Sequence, residues 1–168
     1  MGLGLIKGVL IDRTDFTYNY WNPYDDAGGT IFTDVCVKDF AITNSAFDGR
    51  GLTTNTQALE IHSRGVTISG NAIHEFPHEG INLNSAADVT ITNNGIFNNG
   101  LGLDFSGAGV SIWNRALNSI PRRTTQSVKL SGNEITNFSF LILYRLSSKM
   151  RKFRRRGNWS ETNERYTP

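Results

Sequence analysis

Val66-Thr67-Ile68-Ser69-Gly70-Asn71-Ala72-Ile73 is one of four copies of a phrase whose reading decides the fold of this chain. The others are Phe40-Ala41-Ile42-Thr43-Asn44-Ser45-Ala46-Phe47, Val89-Thr90-Ile91-Thr92-Asn93-Asn94-Gly95-Ile96 and Val128-Lys129-Leu130-Ser131-Gly132-Asn133-Glu134-Ile135. In every copy the first, third and eighth positions are apolar, and the sixth is Asn, or Ser45 in the first copy. Apolar residues at alternate positions give a period of two, the period of a strand with one buried face. The spacings of three and four that an amphipathic helix needs are absent. A strand phrase that keeps returning is the coil of a solenoid, where each unit buries its apolar face only by stacking on its neighbours.

The copies start 26, 23 and 39 residues apart. A second phrase precedes three of them: Ala58-Leu59-Glu60-Ile61, Gly80-Ile81-Asn82-Leu83 and Gly109-Val110-Ser111-Ile112. Each coil therefore carries at least two strands, and loops of unequal length take up the variation. Alternation turns Leu59, Ile61, Ile81, Leu83, Val110 and Ile112 inward and Glu60, Asn82 and Ser111 outward. Coils stacked at a strand spacing of about 4.8 Å bring the sixth positions into register. Asn71, Asn94 and Asn133 are expected to form a hydrogen-bonded ladder that also satisfies backbone groups left free at the turn.

At these residues the chain resembles the right-handed parallel β-helix superfamily, whose best-known members are pectate-lyase-like polysaccharide enzymes. The resemblance covers about residues 30–138 and implies an all-β solenoid of about three to four coils. It divides the chain into an irregular segment or degenerate first coil over residues 1–34, repeats over 35–138, and a basic tail over 139–168 that is not expected to belong to the fold. The tail carries eight Lys or Arg against two Glu, while the rest carries nine against thirteen. Gly8-Val9-Leu10-Ile11 and Thr30-Ile31-Phe32 suit strands of an earlier coil, but the aromatic cluster over residues 18–24 breaks the repeat.

The resemblance also implies where a ligand lies. In the family the strand matching Gly-Ile-x-Leu floors a substrate groove, which makes Glu60, Asn82 and Ser111 one outward column and His62, Asn84 and Trp113 the next. The loops over residues 74–79, 97–108 and 113–127 would wall it, the last bringing Arg115, Arg122 and Arg123. The expected ligand is an acidic polysaccharide, with arginines for its carboxylates and Trp113 for a sugar ring. The candidate catalytic residues are Glu60, His62 and Arg115. The candidate substrate-binding residues are Asn82, Asn84, Trp113, Arg122 and Arg123. A lyase needs a base that takes a proton next to a carboxylate and cations that stabilise the resulting charge. A hydrolase needs two carboxyl groups about 5–9.5 Å apart, for which Glu60 with Glu79 or Asp104 are the candidates. The alternative is a noncatalytic structural or surface repeat whose outer face only makes contacts.

Several features are set aside. No cofactor or metal site is expected. Calcium is the one ion that the family's lyase chemistry admits, yet Glu60 is followed by Asn82 and Ser111 rather than by an acidic column. His74-Glu75-Phe76-Pro77-His78 reads as H-E-x-x-H, the zinc motif of a helix, but it lies in a short gap between strands and contains Pro77. Cys36 is the single cysteine, so it has no internal disulfide partner. Neither nucleic acid nor membrane is expected as a partner, because the basic run over residues 151–156 is charge without a recognition motif and Phe140-Leu141-Ile142-Leu143 is too short to span a bilayer. The first residues show no secretory signal, although family members are often exported.

Overall fold

The computed structural model describes residues 5–17, 29–52, 56–101, 107–113, 125–137, 140–146, 149–152 and 159–160, with side chains through residue 137 except that of Trp113. All regular structure among them is β-strand. The strands make three sheets, and each successive coil adds one strand to each. The first sheet runs Ile6–Lys7 with Leu10–Asp12, then Val37–Thr43, Arg64–Ser69, Ala87–Thr92 and Gln126–Ser131. The second runs Asp15–Thr17, Ala46–Asp48, Ala72–His74, Gly95–Phe97 and Glu134–Thr136. The third runs Gly29–Thr33, Gln57–Ile61, Ile81–Asn84, Ala108–Trp113 and Phe140–Leu146. All these pairings are parallel. This is the parallel β-helix that the repeat implies, with four to five coils.

The coil beyond the three to four expected comes from the N-terminal segment. Leu10–Asp12 pairs with Val37–Thr43, putting Ile11 opposite Ile42, and Asp15–Thr17 puts Phe16 opposite Phe47. The Phe16 and Phe47 rings stack with centroids 4.7 Å apart. Val9, Ile11 and Phe16 keep the inward spacing of the phrase and pack against the core, but Thr14 stands where later coils have Ser or Asn.

Three apolar columns fill the solenoid. Ile42, Ile68, Ile91 and Leu130 align in the first sheet. Phe47, Ile73, Ile96 and Ile135 align in the second. Leu59, Ile81 and Val110 align in the third. They meet in one core, in which Ile42, Phe47, Ile68, Ile73, Ile91 and Ile96 are wholly buried. Removing such a side chain from water contributes about 1.5–3 kcal/mol.

The Asn ladder forms as expected. Asn71 Oδ1 accepts from the Ser45 backbone N–H at 2.9 Å, Asn94 Oδ1 from that of Asn71 at 2.9 Å, and Asn133 Oδ1 from that of Asn94 at 3.0 Å. The amides also bond along the stack, Asn71 Nδ2 donating to Asn94 Oδ1 at 3.0 Å and Asn94 Nδ2 to Asn133 Oδ1 at 2.9 Å. Their donors further reach the carbonyls of Ile42, Ile68 and Ile91. The fifth position of the phrase alternates Asn44, Gly70, Asn93 and Gly132, all in the left-handed region at φ between 50° and 66°. Both residue types enter that region readily. Stacking explains the alternation: a Cβ on Gly70 would stand 2.8 Å from Asn44 Oδ1, and one on Gly132 would stand 2.3 Å from Asn93 Oδ1.

The third sheet continues past the boundary expected at residue 138. Phe140–Leu146 pairs in parallel with Ala108–Trp113, Lys149–Lys152 turns back antiparallel on it, and Trp159–Ser160 pairs antiparallel with Glu134–Thr136. Removing residues 139–168 should therefore open the edges of two sheets, and open edges template pairing with other chains. The expected result is aggregation of the truncated chain, seen as increased light scattering. A truncated chain that stays monomeric and melts like the full chain would show that these strands add nothing.

Asp12 links the first coil to the second. Its Oδ1 accepts from Thr43 Oγ1 at 2.6 Å and from Asn44 Nδ2 at 3.0 Å, and these bonds hold its carboxyl below the usual carboxylate value. A depressed carboxyl stabilises the fold above the unfolded value of about 3.9, and the contribution is lost as pH falls through the folded value. Asp12→Asn should flatten the decline in stability below about pH 4, read from urea midpoints at several acid pH values. An acid decline identical to that of the parent chain would exclude this role.

Candidate functional site

The third sheet sets the candidate residues in line. Glu60 lies opposite Asn82, Asn82 opposite Ser111, and Asn84 opposite Trp113. His62 follows directly on Ile61, where the chain passes to the first sheet through Ser63. The registers predicted for Glu60, Asn82 and Ser111 and for Asn84 and Trp113 thus hold, but the openness predicted for this face does not. Glu60 is 3% exposed, His62 2%, Asn82 7%, Asn84 4% and Ser111 0%, so these side chains do not form a solvent-open groove floor. Buried polar groups need partners, and most of these find them within the column. His62 Nε2 lies 2.9 Å from Glu60 Oε1, and Ser111 Oγ donates to Asn82 Oδ1 at 3.2 Å.

His62 is held on several sides. Its backbone N–H donates to the Thr33 carbonyl at 3.0 Å, with Thr33 Oγ1 at 3.3 Å. The Ser63 and Thr33 hydroxyls are hydrogen-bonded to each other. The Phe32 ring centroid is 5.1 Å from the His62 ring. Glu60 Oε2 is buried without a hydrogen-bond partner among the described residues.

A cavity of about 270 Å³ opens at this corner, where third-sheet strands end and first-sheet strands begin. Its wall includes His62, Ser63, Ser85, Lys38 and Arg64. Sequence reading missed Lys38 and Arg64. They sit at the start of their strands, ahead of the repeated phrase, and only the parallel register of Lys38 with Arg64 brings them together. Trp113 is placed by its backbone pairing alone, while Arg115, Arg122, Arg123 and Asp104 lie outside the described residues.

The H-E-x-x-H segment is a strand end followed by a turn. His74 ends Ala72–His74, and its ring stacks on Phe97 at 4.7 Å. Its Nδ1 is 3.7 Å from Asp48 Oδ1, and Asp48 is itself bonded by Arg50, which holds the Asp48 carboxyl below its usual value. Glu75 has a left-handed backbone with φ of 63°, Phe76 is buried, and His78 Nδ1 bonds Glu79 Oε2. The two imidazoles therefore serve different carboxylates. Among the described residues no three His, Cys, Asp or Glu side chains gather as metal ligands, and the Glu60 column offers one carboxylate only, so its donors do not fit a calcium ion. Glu79 is fully buried, with its Oε2 bonded to His78 Nδ1.

A further interior Asn, Asn99, escaped the sequence reading. Asn99 Oδ1 accepts from the Phe76 backbone N–H at 3.1 Å, and its Nδ2 donates to the Ile73 carbonyl at 2.9 Å. It satisfies one turn rather than a repeated one, so no recurring phrase marks it.

Comparison with known proteins adds little beyond this geometry. No protein-family model matches the chain, and no curated protein does. Among solved structures, the chain is similar to the A-module of the mannuronan C-5 epimerase AlgE4 of Azotobacter vinelandii, with 18% sequence identity and a TM-score of 0.45. The likeness covers 65% of this chain and 38% of that one, so the chain spans well under half of the length of the structure it resembles.

Proposed function

We propose that this chain binds an acidic polysaccharide at the corner of the third sheet and acts on it in a lyase-like step that begins with proton removal next to a sugar carboxylate. The observation that carries the proposal is the buried 2.9 Å contact between His62 Nε2 and Glu60 Oε1. A carboxylate that accepts from Nε2–H fixes the tautomer and leaves the lone pair of a base on Nδ1. His62 is also among the residues that line the cavity. In the step, His62 takes the proton from the carbon bearing the carboxylate. The electron pair forms a carbon–carbon double bond as the adjacent glycosidic C–O bond breaks, and the leaving oxygen takes a proton from the imidazolium or solvent. Glu60 stabilises the imidazolium, and Arg115 the charge that builds on the carboxylate. Asn82, Asn84, Trp113, Arg122 and Arg123 are the proposed substrate-binding residues.

The burial of Glu60, Asn82 and Ser111 favours a second reading, a noncatalytic structural repeat whose outer polar residues serve stability. A panel of uronic-acid and neutral glycans separates the two. The proposal expects acidic glycans to bind, with affinity that weakens as salt rises, and an ultraviolet-absorbing unsaturated product that disappears in His62→Ala. Binding of no glycan, together with a His62→Ala variant altered only in stability, would leave the structural repeat.

A further inference from the structure

Lys38 and Arg64 occupy the same position on adjacent coils of the first sheet, and Lys7 precedes them in that column. Three successive coils thus present a cation beside the corner that holds His62. Two of the three have exposed counter-charges: Lys7 Nζ is 3.5 Å from Asp39, and Arg64 Nε is 3.6 Å from Asp88. Every partner in these pairs is more than half exposed, so solvent screens them and they bind weakly. Among the described residues Lys38 has no carboxylate within ion-pair distance.

Lys38 and Arg64 line the cavity together with Ser63 and Ser85, and among the described residues no Asp or Glu lines it. A lysine and an arginine lining one small space suit an anion of two oxygens, because charge-assisted hydrogen bonds are stronger than neutral ones and a guanidinium fork matches a carboxylate. A neutral hydroxymethyl group would leave the charge unmatched.

We infer that this cavity is a carboxylate subsite, in which Lys38 and Arg64 hold the carboxyl group of one uronic acid residue beside His62. The inference rests on the acidic-polysaccharide reading and deepens it. Binding the carboxyl here brings its neighbouring C–H toward the imidazole. It also sets two cations where negative charge develops as that proton leaves. Lys38 and Arg64 are then binding residues, with His62 acting on what they hold.

The test is a titration of the protein with galacturonate, with galactose as the neutral control, reading the imidazole NMR signals. The His62 signal is assigned from its absence in His62→Ala. Galacturonate should move the His62 signal and galactose should not. Lys38→Gln and Arg64→Gln should each weaken the response about tenfold or more, Lys38→Arg should restore it in part, and unchanged melting temperatures would show that the variants are folded. Galacturonate acting on Lys38→Gln and Arg64→Gln as it does on the parent chain, or galactose moving His62 equally, would overturn the subsite. Polygalacturonate binding to the parent chain and to both Gln variants alike would remove the subsite while keeping the glycan reading. Galacturonate bound through Lys38 with no acidic polymer bound would keep the subsite and remove the glycan reading.

Discussion

Ile91→Ala is expected to lower the free energy of unfolding by about 2–5 kcal/mol. Ile91 is wholly buried in the middle of its column, with Ile68 opposite on one side and Leu130 on the other. The sheet hydrogen bonds of both neighbours hold their backbones in place, so the cavity left by the lost carbons cannot close. A residue at an end of the column has only one fixed neighbour, and Leu130, which is half-buried, should tolerate truncation better. Urea unfolding of Ile91→Ala and Leu130→Ala checks both expectations. Equal and small losses would mean that the column is not the core of the solenoid.

Asn94→Ala is expected to be comparably severe, at about 3 kcal/mol or more, although it removes no apolar surface. Asn94 Oδ1 accepts from the backbone and side chain of Asn71, and its Nδ2 donates to the Ile68 carbonyl and to Asn133. Alanine leaves the Asn71 N–H and the Ile68 carbonyl without these partners inside a buried turn, and each buried orphan costs about 1–3 kcal/mol. Asn94→Ser should be milder. Ser45 holds the equivalent place in an earlier coil, where its Oγ accepts from Thr14 N–H and donates to the Thr43 carbonyl. The measurement is again a denaturant series, and a loss under 1 kcal/mol for the alanine variant would reduce the ladder to turn decoration.

The residues that proved legible in the sequence are those whose physical role repeats. Val66, Val89 and Val128 align as the phrase predicts, as do Glu60, Asn82 and Ser111, because stacking converts a recurring spacing directly into a register. Roles that occur once were silent. Asn99 closes a single turn, and Phe76 fills the core from within a segment that reads as a metal motif. Alternation shows only which way a side chain leaves the strand. It predicted that Glu60 faces away from the core, and gave no hint that Glu60 is buried there against His62. The cavity depends on two strand ends and two linkers meeting at a corner, and Lys38, Ser63, Arg64 and Ser85 share no phrase that announces it. The N-terminal coil was obscured for a related reason: its turn uses Arg13 at φ of 50° and Thr14, where the other coils use Asn or Gly followed by Ser or Asn.

The proposal that His62 removes a proton next to a sugar carboxylate is tested most directly by incubating the protein with an acidic uronan in heavy water. Deuterium entry at the carbon bearing the carboxylate, or an unsaturated chain end, is then followed by NMR. Proton removal by His62 predicts one of these signals in the parent chain, its loss in His62→Ala, and a marked decrease in Glu60→Gln, where a neutral amide replaces the carboxylate that fixes the imidazole. A uronan that binds at the Lys38 and Arg64 corner yet acquires neither deuterium nor an unsaturated end would contradict it.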